Sequence, residues 1–392
     1  MLSSLVIVSL GLLLAAMPTG FAGLVAGRLM QGLGIALLPL ALAAARDNLS
    51  PERANGALAL LSVTGVMGAG ISYPLAAWLA ETMSINAAYG AGFLVTAFTL
   101  VLAMRVLPDS TVTGSDAVHW TGAVLLSSGT LSLLLALTVA PRLGAPAMWL
   151  WLLVAFGVGS VLLWVRVSLR HTTPLVDLRL ATGSGVVAVH FAGLIAGIAG
   201  YMLLALVMIQ VQMPTSTGFG LGEPLTVAGL LLTPYALFSF IGSRLSMWVA
   251  GRIRLDLALP LGGGIYVVAT VLYMFCHDSV AVVGVVMALA GVGSGFAFAA
   301  MPGLVIRETP AAETGSALSF NVLLRFLGFA VGSTLATTVL TGLGSTDLGG
   351  VQIFRFTVGV NAALWVVMAA TTFALISKSG ARSLNARAIE AP

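Results

Sequence analysis

The segment GFAGLVAGRLMQGLGIALLPLALAAARD, residues 20–47, decides how this chain must fold. Its apolar run exceeds the ~20 residues that a helix needs to cross the hydrocarbon of a bilayer. Arg28 nevertheless sits inside that run. A guanidinium at such depth costs about 2.5 to 3.5 kcal/mol even on insertion scales, so Arg28 is expected to face protein or a wet cavity. The helical period agrees. Gly23, Gly27, Gln31 and Gly34 recur at i, i+4, i+8 and i+11, a face that admits a neighbouring backbone, and Arg28 borders it. Arg28 and Gln31 therefore read either as part of a transport path or as donors that brace one helix against another.

The rest of the chain has the same character. Of 392 residues, 59% are hydrophobic and only 8% charged, and the mean hydropathy is +1.08. Soluble domains carry about 25% charged residues, so most of this surface must meet lipid. The net charge of +4 has no basic run with interleaved aromatics behind it, which gives no basis for nucleic-acid binding. Cys276 is the one cysteine, so no intrachain disulfide forms. The one lysine, Lys378, lies far from any phosphate-cradling loop, so ATP bound to this chain is not expected to drive it. The first eighteen residues lack a basic leader and read as a span rather than a signal peptide.

Apolar runs of span length predict an all-α polytopic membrane protein of about twelve transmembrane helices: 2–18, 21–45, 55–79, 86–107, 120–140, 147–167, 184–211, 225–249, 257–276, 280–304, 314–342 and 354–376. With the N-terminus cytoplasmic, only Arg142 and Arg355 of the 17 Lys and Arg fall outside, and only Arg28 and Arg325 within spans. That asymmetry predicts both termini in the cytoplasm.

An internal echo divides the chain. GLGIALLP in span two is followed by Arg46-Asp47, Pro51-Glu52 and Gly56-Ala57-Leu58; GSGFAFAAMP in span ten is followed by Arg307-Glu308, Pro310 and Gly315-Ser316-Ala317-Leu318. Two like helical bundles are implied. The expected division is an N-terminal bundle of four helices over 1–108, an inserted helix pair over 109–172, a C-terminal six-helix bundle over 173–378 and a cytoplasmic tail over 379–392. If the echoing spans are both fourth in their bundles, two helices are expected before Met1.

These residues resemble the major facilitator superfamily, and within it the fourteen-helix drug/proton antiporters. GRLMQGLG is similar to the family's fourth-helix motif, which the resemblance places on Arg28, Gln31, Gly32 and Gly34. PLVDLRL, residues 174–180, is similar to the segment leading into the ninth family helix. GVMGAGISYPLAAW resembles the glycine-rich fifth-helix motif through Gly65, Gly68, Gly70 and Pro74, with Tyr73 in place of a glycine. The resemblance implies a conformational role for this motif. As packing, Gly65, Ala69, Ser72 and Ala76 form a small-residue ridge, with a kink at Pro74. GSRLSMWVAGRI matches a second-bundle loop motif at Gly242, Arg244, Gly251 and Arg252.

None of the 13 acidic residues falls deep in a span, so a carboxylate relay is not expected. His190, two turns into span seven, is the proton-coupling candidate, because an imidazole titrates near neutrality. The alternative is a histidine simply bonded to a neighbour. In span eleven, Asn321, Arg325, Gly328, Gly332 and Ala336 share one face. Asn321 and Arg325 read as lining a substrate cavity or as an inter-helix clamp. Gln210, Tyr201 and Tyr235 add hydrogen bonding and ring surface for an amphipathic ligand, with Gln212 beside them. Trp120, Trp149, Trp151 and Trp164 read as interfacial anchors. Gly291, Gly293 and Gly295 read as close packing, not as a dinucleotide loop, and Cys276-His277-Asp278 is too compact for a metal site.

The resemblance implies a secondary active transporter in the plasma membrane, exporting lipophilic or cationic small molecules by alternating access at the expense of a proton gradient. The alternatives are a metabolite uptake carrier or a truncated, non-transporting membrane protein. Neither cofactor nor metal is expected, enzymatic activity is not expected, and the partners are a small-molecule substrate, protons and the lipid bilayer, with the chain acting as a monomer.

Overall fold

The computed structural model describes residues 1–37, 41, 68, 70–106, 120–143, 148–170, 184–252, 257–309, 314–342 and 349–389. Among the described residues regular structure is helical throughout, with no strand. Hydrocarbon offers the backbone no hydrogen-bond partners, so each span must satisfy its own N–H and C=O groups, as a helix does. The helices are α1 (Leu2–Ala16), α2 (Gly20–Gly32), α3 (70–82), α4 (Ile85–Val106), α5 (Trp120–Leu143), α6 (Met148–Arg170), α7 (Ser184–Gln212), α8 (Leu225–Arg252), α9 (Ala258–Phe275), α10 (Val280–Glu308), α11 (Thr314–Gly342) and α12 (Gly350–Ile389). Nine of them are long and apolar enough to cross a membrane.

Two boundaries differ from expectation. The second span does not run unbroken: α2 gives way to a 3-10 turn at Leu33–Ala36, where Gly32 and Gly34 tolerate the tighter winding. At the other end of the chain α12 continues to Ile389, through residues expected to form a tail.

The chain divides into two compact units, Met1–Ser115 with Glu223–Leu237, and Asp116–Gly222 with Phe238–Pro392. In the first, α1 packs against α2 and α4. Gly11 and Gly27 make the crossing possible: a Cβ on Gly27 would lie 2.6 Å from the Gly11 carbonyl oxygen, and one on Gly11 would lie 2.7 Å from that of Gly27. Asn86 ties the start of α4 to α1 by donating to the Ala16 carbonyl at 2.9 Å.

The α3 contact in this unit corrects the expected ridge. Ser72 and Ala76 are exposed, and Gly65 and Ala69 lie outside the described residues. The packed face is instead Gly70, Pro74, Ala77 and Glu81 against the first half of α8. The Thr233 hydroxyl donates to the Gly70 carbonyl at 2.9 Å, and a Cβ on Gly229 would lie 2.8 Å from that of Ala77 and 3.1 Å from the Pro74 Cα. Glu81 accepts from the Thr226 amide at 2.9 Å and from its hydroxyl at 2.5 Å, capping α8 at a point where helical N–H groups have no partner of their own.

The second unit is built round α7, which packs against α10, α11 and α12, while α9 packs against α10 and α12. Alanine, glycine and aliphatic residues of α7, among them Ala188, Ala192, Ala196 and Ala199, are wholly buried. Tyr266 and Trp365 stack at 4.1 Å in its core. Asn361 donates to the Ala199 carbonyl at 2.6 Å. A Cβ on Gly293 would lie 2.7 Å from the Gly262 carbonyl, and one on Gly295 would overlap the Ser239 carbonyl, which accounts for that glycine run by packing.

Helices α5 and α6 pack on each other, and α5 packs on α11. Here Trp164 departs from its expected interfacial place. It is 5% exposed, in a cluster with Leu126 and Phe320, whereas Trp120, Trp149 and Trp151 are exposed. Periodicity alone does not separate an indole facing lipid from one facing a helix that arrives later in the chain.

Candidate functional site

The α7–α11 interface organises the polar residues of the second unit. It is a backbone-to-backbone contact: a Cβ on Gly197 would lie 2.5 Å from the Arg325 carbonyl oxygen, and Cβ atoms on Gly328 and Gly332 would overlap the Leu194 and Ile198 carbonyls. Small residues on both helices allow that approach. Ala336, next along the same face, is wholly buried. The face from Asn321 to Ala336 is thus an interface with α7 rather than a cavity wall.

Asn321 follows it. Its side chain is 4% exposed, and its Nδ2 donates to the Val189 carbonyl at 2.9 Å, so the clamp alternative describes its position. His190, one residue on, is 5% exposed, meets Phe320 edge-on at 4.9 Å, and has an Nδ1 with no hydrogen-bond partner.

Arg325 parts from this face. Its backbone lies against Gly197, but its guanidinium reaches α10, with the central carbon 5.1 Å from the Phe298 ring centroid and 6.0 Å from that of Phe326. The Nε is buried with no acceptor. Phe329 extends the cluster, 5.3 Å from Tyr201, 5.4 Å from Phe326 and 6.4 Å from Phe298. Arg325, Tyr201, Phe298, Phe326 and Phe329 are all half-buried. One cation and four rings from α7, α10 and α11 therefore share an open patch of this unit. The three phenylalanines escaped the sequence reading, although Phe329 stands four residues after Arg325, a position a helix brings beside it.

Gln210 is placed differently from its expected role. It is wholly buried; its Nε2 donates to the Phe219 carbonyl at 3.1 Å and the His277 carbonyl at 2.7 Å, and its Oε1 accepts from the Tyr273 hydroxyl at 2.6 Å. A ligand would have to displace these bonds, so Gln210 is a structural knot. His277 belongs to the same knot, 2% exposed and 4.9 Å from Phe354, with its Nε2 3.6 Å from Asp278. Burial pushes its imidazole below the ordinary 6.5, an effect that Asp278 opposes and Arg355 reinforces. Among the described residues no cluster of His, Cys, Asp or Glu is arranged to hold a metal.

In the first unit Arg28 is exposed on α2, with its guanidinium 5.1 Å from the Tyr89 ring centroid and a 3.4 Å hydrogen bond from its terminal nitrogen to Gln31 Oε1. Gln31 in turn donates to the Gly11 carbonyl at 3.2 Å, tying α2 to α1. Tyr235 is half-buried in the first half of α8. Gly65 lies outside the described residues; Gly68 is exposed with open space around it. Gly70 and Pro74 border a shallow groove of about 470 Å³, also lined by Ile71, Leu75, Trp78, Thr226, Leu230 and Thr233.

A second cavity, of about 420 Å³, lies among α5, α7 and α11. It is lined by Thr138, Ala205, Met208, Ile209, Ser333, Thr334 and Thr337.

Comparison with known proteins extends this picture. The family model described as Major Facilitator Superfamily matches residues 1–333. The chain is 26% identical over 343 residues to the "Probable actinorhodin transporter" of Streptomyces coelicolor, covering 82% of this chain and 57% of that protein. It is 24% identical over 370 residues to "Quinolone resistance protein NorB" of Staphylococcus aureus, covering 90% of this chain and 75% of that one. The chain thus spans little more than half the length of the first relative and three quarters of the second. Among solved structures, a POT family transporter in complex with 5-aminolevulinic acid superposes with a TM-score of 0.65 at 13% identity, over 95% of this chain and 81% of that one. At that identity the likeness is one of fold alone.

Proposed function

This chain belongs to the major facilitator superfamily, and from that premise we propose that it is a proton-coupled secondary exporter of lipophilic small molecules in the plasma membrane. The observation that carries the reading is the Arg325 guanidinium, without a hydrogen bond or ion pair among the described residues and set among half-buried rings. Intramembrane charges are expensive and persist where they serve a pathway. The efflux direction draws support from the names of the two relatives, a probable actinorhodin transporter and a quinolone resistance protein.

The mechanism is alternating access, in which a site near the bilayer midplane opens to each side in turn. In the second unit substrate meets Arg325 and Tyr201; in the first, taken by itself, the candidate residues are Arg28, Gln31 and Tyr235. His190 takes and releases the coupling proton. Being buried against Phe320, it exchanges protons only when α7 and α11 part, which links its titration to the conformational cycle. Gly70 and Pro74 serve that cycle by letting α3 slide on α8, and Gly65 and Gly68 of the same motif are given the same conformational role. The divisions 1–108, 109–172, 173–378 and 379–392, the cytoplasmic placement of both termini and a monomeric state complete the proposal. Of the two expected classes of cargo, lipophilic or cationic, the cationic one is not carried further, because Glu81, Glu223, Asp278 and Glu308, the described carboxylates, all lie at helix ends or in connections.

The test is export of a lipophilic fluorescent dye from proteoliposomes with an imposed pH gradient. Export that a protonophore abolishes, and that His190→Asn uncouples from the gradient, is the expected result. Dye movement indifferent to both treatments removes proton coupling, inward movement supports the uptake carrier, and no movement in either direction supports the non-transporting alternative.

A further inference from the structure

We infer that the Arg325 cluster is an anion-selective aromatic subsite, and that it takes a planar aromatic ring bearing a carboxylate or an equivalent acid. This rests on the reading of that cluster as the place where substrate binds. Four features of the second unit carry it.

First, Arg325 has no hydrogen bond and no ion pair among the described residues, and its Nε is buried without an acceptor. A half-buried guanidinium without a counter-charge is a poor resting state, and a ligand that supplies the charge relieves it. Second, the neighbours that Arg325 does have are ring faces, Phe298 at 5.1 Å and Phe326 at 6.0 Å. Cation–π contact offsets part of the desolvation but leaves the in-plane N–H donors unused, because the rings engage the positive charge rather than the hydrogens. Those donors form a fork that matches a carboxylate bidentately.

Third, the rings do not close over the site. Tyr201, Phe298, Phe326 and Phe329 are half-buried, and their contacts run from 5.3 to 6.4 Å with tilted or edge-on geometry. Offset and edge-on aromatic packing of this kind extends readily to one more ring. Fourth, the contrast with the other polar residues of the unit is sharp. Asn321, Asn361 and Gln210 each donate to a carbonyl of a neighbouring element, whereas the strongest donor of all has none. A brace would have been given an acceptor, as those three were.

Charge then decides the class of ligand. A cation brought to this patch meets a guanidinium that already lies over Phe298 and Phe326, with no described carboxylate to receive it. An anion meets complementary charge and free donors.

The experiment uses two probes with the same fluorophore, 9-anthracenecarboxylate and 9-anthracenylmethylammonium. Their equilibrium binding to the purified full chain in lipid nanodiscs is measured, and their export from proteoliposomes is measured separately. The expected result is saturable carboxylate binding, roughly tenfold or more tighter than ammonium binding. Arg325→Met is expected to lose that preference, and Arg325→Lys to retain it at reduced affinity. Phe298→Leu is expected to weaken binding of the anthracene carboxylate. Equal binding of the two probes by the wild-type chain overturns the inference whether or not the variants fold. So does carboxylate binding that survives Arg325→Met, which makes Arg325 a structural brace. Export of the ammonium probe independent of Arg325 overturns the inference and leaves the exporter reading standing. Selective carboxylate binding without export upholds the inference and overturns the exporter reading.

Discussion

Asn321 donates its side-chain Nδ2 to the carbonyl of Val189 across 2.9 Å, fastening α11 to α7 one residue before His190. The pairing joins residues 132 apart in sequence and holds the buried imidazole beside the backbone-to-backbone contact of α7 with α11. Hydrogen bonds between membrane helices contribute about 0.6 to 1.7 kcal/mol. Asn321→Leu is therefore expected to lower stability by about that much, read as a lower thermal midpoint of the purified protein in detergent. An unchanged midpoint would show that the bond contributes nothing to the packing of α11.

The glycines of this contact make a sharper test. A Cβ on Gly332 overlaps the Ile198 carbonyl, whereas one on Gly264 meets nothing within 4 Å. Gly332→Ala is expected to destabilise by about 1 to 3 kcal/mol through overpacking. Gly264→Ala is expected to be neutral or to stabilise by up to about 1 kcal/mol through helix propensity. Similar thermal midpoints for the two variants would contradict the close approach of α7 and α11.

The knot around Gln210 carries a pH dependence. Gln210→Leu leaves two carbonyls and the Tyr273 hydroxyl without their partner, at a cost of about 1 to 3 kcal/mol. His277 has a folded-state pKa below its ordinary 6.5 because burial disfavours its charged form. The folded state consequently binds fewer protons than the unfolded one, so the stability present above 6.5 is lost as pH falls below it towards the folded value. The thermal midpoint is expected to drop between about pH 7.5 and 5.5, and His277→Asn to flatten the drop. A wild-type midpoint that is constant over this range refutes the buried placement of the imidazole.

Glu81 behaves in the opposite chemical sense with the same pH sign. Its carboxyl is held below the ordinary 4.5 by the hydroxyl and then the amide of Thr226. Because the folded-state value is depressed, the cap is intact above 4.5 and is released as pH falls through the lower folded value. Hydrogen exchange at the Thr226 amide reports this directly. Protection is expected to hold from pH 7 to about 5 and to decline on further acidification, with Glu81→Gln giving weaker, pH-independent protection. Protection identical in wild type and Glu81→Ala would mean that Glu81 does not cap α8.

The α-helical membrane architecture was legible because each span had to satisfy its own backbone and present an apolar surface over its whole length. Each of the twelve expected spans has a counterpart among the described helices. The glycine faces were legible in part: Gly27 of α2 and Gly332 of α11 do admit a neighbouring backbone, but in α3 the packed face is set by Gly229 and Thr233 of α8, which rotates it from Ser72 and Ala76 to Gly70 and Ala77.

What the amino-acid sequence determined by itself was the medium, the helices and the identity of the rare polar residues inside them, because those follow from local hydropathy and period. Which of those residues the fold uses up was settled only in three dimensions. Gln210, Asn321 and Arg325 look alike along a helix, yet among the described residues the first two find acceptors on other elements while the third finds only rings. A hydrogen bond needs two groups within about 3 Å, and the groups that decide these cases come from helices far apart in the chain.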